Sequence, residues 1–140
     1  MHNVFMGVCT FVATGLNFDV ERYLKNSPFK AVSVFRQGEV PTKDNPELQP
    51  RPDSGFVVVV NEERSSSLPS QQIEASLIFL CKHEKDLERL KGFGVDVMLL
   101  NFGVDAEFPQ RSEYLPPDLI ARLARFRMGL MFSVIQSPQG

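Results

Sequence analysis

Leu115-Pro-Pro-Asp-Leu-Ile-Ala-Arg-Leu-Ala-Arg-Phe-Arg-Met-Gly-Leu-Met-Phe-Ser-Val-Ile-Gln136 is the stretch that decides the architecture. Pro116 and Pro117 open a helix whose apolar residues Leu119, Ile120, Leu123, Ala124 and Phe126 recur at about the spacing of one buried face. A turn at Met128 and Gly129 follows, and Leu130 to Ile135 reads as a strand. A helix that feeds a strand at once must fold back against the sheet holding that strand. A compact α+β domain is therefore expected.

Upstream, Val4 to Ala13 is rich in β-branched and aromatic residues and apolar on both alternating faces, which predicts an inner strand. Gly15 and Asn17 break it. Asp19 caps a short helix, Val20–Asn26, that buries Val20, Tyr23 and Leu24 and is stopped by Ser27-Pro28. Ala31–Phe35 is a second strand and Gly55–Asn61 a third. Between them lies a proline-rich loop, residues 39–54, expected to be the most mobile segment because its four prolines deny it ladder hydrogen bonds. Ser70 is expected to cap the longest helix, with Ile73, Leu77, Leu80, Cys81, Leu87 and Leu90 buried and a break near His83. Gly92 and Gly94 suit a helix C-terminus. Val95–Phe102 is a fourth strand, and a loop over 103–114 leads to the closing helix. The first six elements, β-α-β-β-α-β, match the split order of the ferredoxin-like fold, extended by a C-terminal helix and strand. That order favours a mainly antiparallel sheet with helices on one face.

At 140 residues the chain has the size of a single domain, and 43% hydrophobic residues are too many for intrinsic disorder. A net charge of −2 predicts no general affinity for nucleic acid or membrane. Charge is uneven, however. Residues 61–109 carry five Lys or Arg against nine acids, and 110–140 carry four Arg against two acids. Cys9 and Cys81 lie in apolar runs and read as small buried hydrophobes, with no CxxC and no disulfide framework. Val4–Leu16 lacks the basic residue that precedes a signal sequence, so a reduced, cytoplasmic protein is expected.

Chemistry-bearing patterns are sparse. His83-Glu84 begins like a zincin motif, but Leu87 stands where the second histidine belongs, which leaves His83 on the solvent face of a charged helix. No cofactor or metal is expected. No G-x-S-x-G elbow exists, the serine triplet 65–67 reads as a loop, and Asp105 with Glu107 reads as surface acids. Gly92-Phe-Gly94 leads into a strand rather than a helix, so it is no phosphate loop. Phe5 and Phe11 lie in a strand without basic neighbours, and core packing explains them better than base stacking. The clearest polar cluster is Arg111, Arg122, Arg125 and Arg127, a candidate contact for an anion or a partner, set against a solvated helix face.

Gly15-Leu-Asn-Phe-Asp19 leading into a short helix, Gly38 with Pro41-Thr42 after the second strand, and Leu87-Glu-Arg-Leu90 with glycines before a strand form a pattern. Together with the Leu-x-x-x-Leu-Ile-x-x-Leu-Ala helix running into the last strand, it resembles the bacterial family known as domain of unknown function 4279. The chain departs from that family's pattern at Gly55-Phe56, where members carry Trp, and at Gln71-Gln72-Ile73, where they carry His. The resemblance implies the fold and brings no catalytic residue.

The leading expectation is a non-catalytic, protein-binding interaction module of bacterial type, immunity- or antitoxin-like, whose partner is another protein or itself as a homodimer. A small-molecule-binding or sensing domain, with a pocket between the sheet and the proline-rich loop, is the alternative. An enzyme ranks third.

Overall fold

The computed structural model describes residues 8–40, 49–61, 69–105 and 114–135. In chain order the elements are β1 (Cys9–Gly15), α1 (Val20–Lys25), β2 (Ser33–Phe35), β3 (Ser54–Val59), α2 (Pro69–Lys82), α3 (Glu84–Arg89), β4 (Val97–Asp105), α4 (Pro117–Arg125) and β5 (Gly129–Ile135). A 3-10 turn, Leu90–Phe93, joins α3 to β4.

The five strands form one mixed sheet in the order β2-β3-β1-β4-β5. β1 is an inner strand, antiparallel to β3 on one side and β4 on the other; β2 is antiparallel to β3, and β5 is parallel to β4. The register puts Phe11 beside Val58 and Leu100, and Ala13 beside Phe56 and Met98. All six are buried, and they share one core with Val20 and Tyr23 of α1, Ile73, Phe79 and Leu80 of α2, Leu87 of α3, and Leu119 and Leu123 of α4. The helices therefore cover this face. Val12, Val57 and Leu99 share the other face and are only half-buried. The expectation that β1 begins at Val4 falls on residues outside the described ones.

The helix ends follow from local chemistry. Asp19 Oδ1 accepts the Arg22 N–H at 3.3 Å and caps α1. The long helix divides at His83, which separates α2 from α3. It begins at Pro69, so Ser70 lies within its first turn rather than at its cap. Gly94 closes the 3-10 turn at φ 90°. Its backbone is pressed against the β1–α1 turn: a Cβ on Gly94 would lie 2.4 Å from Asn17 O, and one on Gly15 would lie 2.1 Å from Gly94 O. Asp96 Oδ2 accepts the Leu16 N–H at 2.8 Å across the same seam.

The closing helix differs from its expected form in two respects. Its buried stripe is Leu119, Leu123 and Phe126, while Ile120 is 53% exposed and Ala124 is exposed. Each lies one residue, about 100° of helix rotation, past a stripe position, which takes it off the contact line. The turn into β5 is also made by Arg127 at φ 54° and not by Gly129. Arg127 N–H donates to Ala124 O at 3.0 Å and Met128 N–H to Leu123 O at 2.8 Å, a Schellman closure with buried Met128 as its apolar member.

Leu123→Ala is expected to cost about 2–5 kcal/mol, whereas Ile120→Ala should stay within about 0.5 kcal/mol; denaturant unfolding of both variants distinguishes the buried stripe from its flank. Arg127→Gly removes the left-handed strain and should stabilise the fold by about 1 kcal/mol, read as a higher melting temperature.

Candidate functional site: a cleft between the second helix and the third strand

Ser27-Pro28-Phe29-Lys30 leaves α1 and reaches the sheet at β2. Ser27 Oγ accepts the Phe29 N–H at 3.1 Å, which tightens the turn. Phe29 is buried against the rings of Phe11, Tyr23, Phe56, Phe79 and His83. With its middle residue anchored, this segment exposes Pro28 and Lys30 on either side. Across from it, Gln71, Glu74, Ala75, Ile78 and Lys82 follow one another at helical spacing along a single face of α2. Val58 to Asn61 make the floor. These three segments enclose an open cleft of about 1040 Å³. Ile78 lines it while 60% exposed, an unusual position for a large apolar side chain on a helix.

His83 closes one end. Sequence reading put it on the solvent face, but its side chain is only 16% exposed and its ring packs 4.8 Å from Phe29 and 4.9 Å from Phe79. At the helix break the ring turns inward, where two aromatic faces cover it. Burial lowers its pKa from the ordinary histidine value, the nearby Lys82 charge acts the same way, and Asp86, 3.7 Å away, opposes them.

Beneath the cleft runs a buried polar strip that sequence reading missed. Asn61 Oδ1 accepts the Cys9 N–H at 2.7 Å, Cys9 Sγ lies 3.3 Å from Ser76 Oγ, Ser76 Oγ donates to Gln72 O at 2.8 Å, and Gln72 Nε2 donates to Gly103 O at 2.9 Å. Gln72 and Ser76, one turn apart beside Ile73 and Leu80, carried the only signal for it. Burial pushes the Cys9 thiol up to about 12, with the Ser76 hydrogen bond acting weakly the other way, so the sulfur is an unactivated thiol at neutral pH. Cys81 is exposed, contrary to the expected buried pair. A five-residue apolar run, Leu77 to Cys81, wraps more than one side of a helix, and Cys81 falls outside the buried stripe.

The four candidate arginines differ in setting. Arg111 lies outside the described residues. Arg122 is half-buried and Arg127 exposed. Arg125 reaches across to α3, where it pairs with Glu84 and, at 3.3 Å, with Glu88, so its charge is met within the protein. Glu107 and the serine triplet also lie outside the described residues, while Phe11 is a core residue. Among the described residues no group of three or more His, Cys, Asp or Glu is placed to hold a metal ion, and no described helix is long and apolar enough to cross a membrane. No family model, no curated protein and no solved structure matches this chain.

In the native protein, a thiol reagent at neutral pH should label Cys81 rapidly and Cys9 only on the timescale of unfolding, as read by peptide mass spectrometry. The His83 shift also has a sign. Its folded pKa lies below the unfolded value of about 6.5, so the unfolded state binds the proton first as pH falls. Stability should decline from about pH 6.5 downward through the folded pKa, and His83→Gln should remove that component of the slope in urea unfolding.

Proposed function

We propose that this protein is a non-catalytic interaction module that docks another protein in the α2–β3 cleft. The observation that carries the proposal is Ile78, a large apolar side chain held exposed in an open cleft whose walls are fixed by buried neighbours, Phe29 on one side and Phe79 on the other. A preformed apolar surface rimmed by charge is what recognition needs. The thiol nearest the cleft floor is unactivated and the nearest imidazole packs against two phenyl rings, which supports recognition over chemistry. The cleft's volume is at the upper end of small-molecule pockets, and its openness to solvent favours a macromolecular segment over an enclosed ligand.

Three further readings belong with this one. The ferredoxin-like reading of the first six elements is supported by the neighbour order β2-β3-β1-β4, antiparallel throughout. Membership of the domain of unknown function 4279 family rests on the sequence pattern alone, Gly15 to Asp19, Leu87 to Leu90 and the closing helix. An immunity- or antitoxin-like role is compatible with docking and is tested by the same partner.

Ile78→Glu alters the exposed position without touching the core and should leave the melting temperature nearly unchanged. A protein that co-purifies with the wild-type chain from its native cells should be lost with Ile78→Glu and retained with Arg125→Ala. A partner kept by Ile78→Glu and lost with Arg125→Ala would move the docking surface to α4 and overturn the assignment.

A further inference from the structure

Among the described residues, the floor of the cleft is a strand edge. Val60 N–H donates to Cys9 O at 2.8 Å, so Val60 turns its backbone groups toward β1. Val57 turns the other way, its carbonyl accepting the Val32 N–H at 2.8 Å. Successive residues of a strand point their backbone groups to opposite sides, so Val59 faces away from β1 as Val57 does. The register of β2 ends with Ser33 opposite Val57, and no residue of β2 lies opposite Val59. Pro28, Phe29 and Lys30 do not continue β2 along this edge. Phe29 is buried in the core, and Pro28 and Lys30, exposed beside it, form the far wall of the cleft.

A segment entering the cleft in extended form would meet the backbone of β3 on one side and Ala75 and Ile78 of α2 on the other. Strand addition in a helix-flanked groove takes this form: main-chain hydrogen bonds supply affinity, and alternate side chains are read by the helix. Charge narrows the occupant. Lys30 stands on one wall and Lys82 on the other, against Glu74, the single acid among the described lining residues. Neither lysine is ion-paired with a described residue. This local excess of positive charge belongs to a chain whose net charge is −2. Building on the docking reading above, we infer that the cleft takes an extended acidic segment of a partner protein, added as a strand on β3 at Val59 with its carboxylate turned to Lys30 and Lys82.

Panning the full chain against phage-displayed random dodecapeptides, with counter-selection on the Lys30→Glu/Lys82→Glu double variant, tests this. The enriched peptides should carry Asp or Glu among β-branched residues. A synthetic peptide of the enriched sequence should shift the amide resonances of Val58 to Asn61 and of Gln71 to Lys82. N-methylation of the peptide amides that face β3 should weaken binding by about tenfold or more, as should the double charge reversal, while N-methylation in the alternate register spares it. Peptides without acidic preference, tolerance of N-methylation in both registers, shifts elsewhere, or no enrichment at all would overturn the inference. So would concentration-dependent dimerisation through the same resonances, since a second copy would then fill the cleft. A native partner that is lost with Ile78→Glu yet indifferent to the lysine reversal would leave the docking reading standing and remove strand addition alone.

Discussion

Contacts among aromatic rings around Phe11 set the geometry on which the rest of the structure depends. Phe11 lies in the middle of β1, the inner strand, and its ring centroid is 6.2 Å from Phe29, 6.0 Å from Phe56 and 5.7 Å from Phe79. Those three residues come from the segment after α1, from β3 and from α2. One side chain therefore ties a loop, a strand and a helix to the sheet. Each pair contributes about 0.5–1.5 kcal/mol beyond its buried area, and each also fixes a direction, because rings pack edge-on or offset rather than at random. Tyr23 extends the cluster: it stacks on Phe56 at 5.7 Å, and its hydroxyl donates to Asp86 O at 2.6 Å. That hydrogen bond joins α1 to α3, as do Arg89 Nη1, which donates to Asn26 O at 3.0 Å, and the Arg89 guanidinium over the Tyr23 ring.

The same cluster shapes the cleft. Phe29 satisfies the core by leaving the sheet plane, and the residues beside it go with it. β2 is short as a result, three residues against seven in β1, and among the described residues no strand lies beside β3 beyond Val57. The cleft is thus a consequence of core packing rather than a surface feature added to a finished fold. Exposed edges usually carry a charge that discourages pairing with other chains, and Lys30 and Lys82 line the cleft beside this one. A lysine that repels a basic edge, and is costly to desolvate against a neutral one, would also favour an acidic one, so protection and recognition would be two effects of the same charge.

Much of the fold was legible because local signals and tertiary needs agreed. The apolar residues on both faces of Val4 to Ala13, described from Val8 onward, marked an inner strand, the Asp19 carboxylate found an N–H to cap, and the break at His83 appeared where the helical apolar pattern lapsed. The closing helix and strand were legible for the same reason. Illegible features were those decided at long range. Phe29 follows Ser27-Pro28 in a segment with no periodicity, and only its partners, drawn from four other elements, bury it. His83 looked like a surface residue because its sequence neighbours are charged, yet the rings that cover it are Phe29 and Phe79. In the run Leu77 to Cys81 the sequence offers five apolar residues where a helix buries two or three, and pattern alone could not choose Ile78 and Cys81 as the exposed ones. The parallel pairing of β5 with β4 was hidden as well, since direction is set by the crossover through α4 and not by the strand's composition.

This origin of the cleft also decides which of its residues can vary independently of the fold. Phe29 holds five ring contacts, so its loss opens the core and moves the wall together; stability and recognition are coupled at that position. Phe79 and His83 behave alike, since both pack on Phe29. Ile78, Lys30 and Lys82 point away from the core, and their side chains touch the cleft without supporting it. On the proposed docking, the chemistry that selects a partner rests on three replaceable side chains, while the shape of the cleft rests on rings packed into the core. Such a division lets specificity drift on a constant scaffold: a change of sign at Lys30 or Lys82 alters which edge the cleft accepts and leaves the strand at Val59 where the aromatic core has placed it.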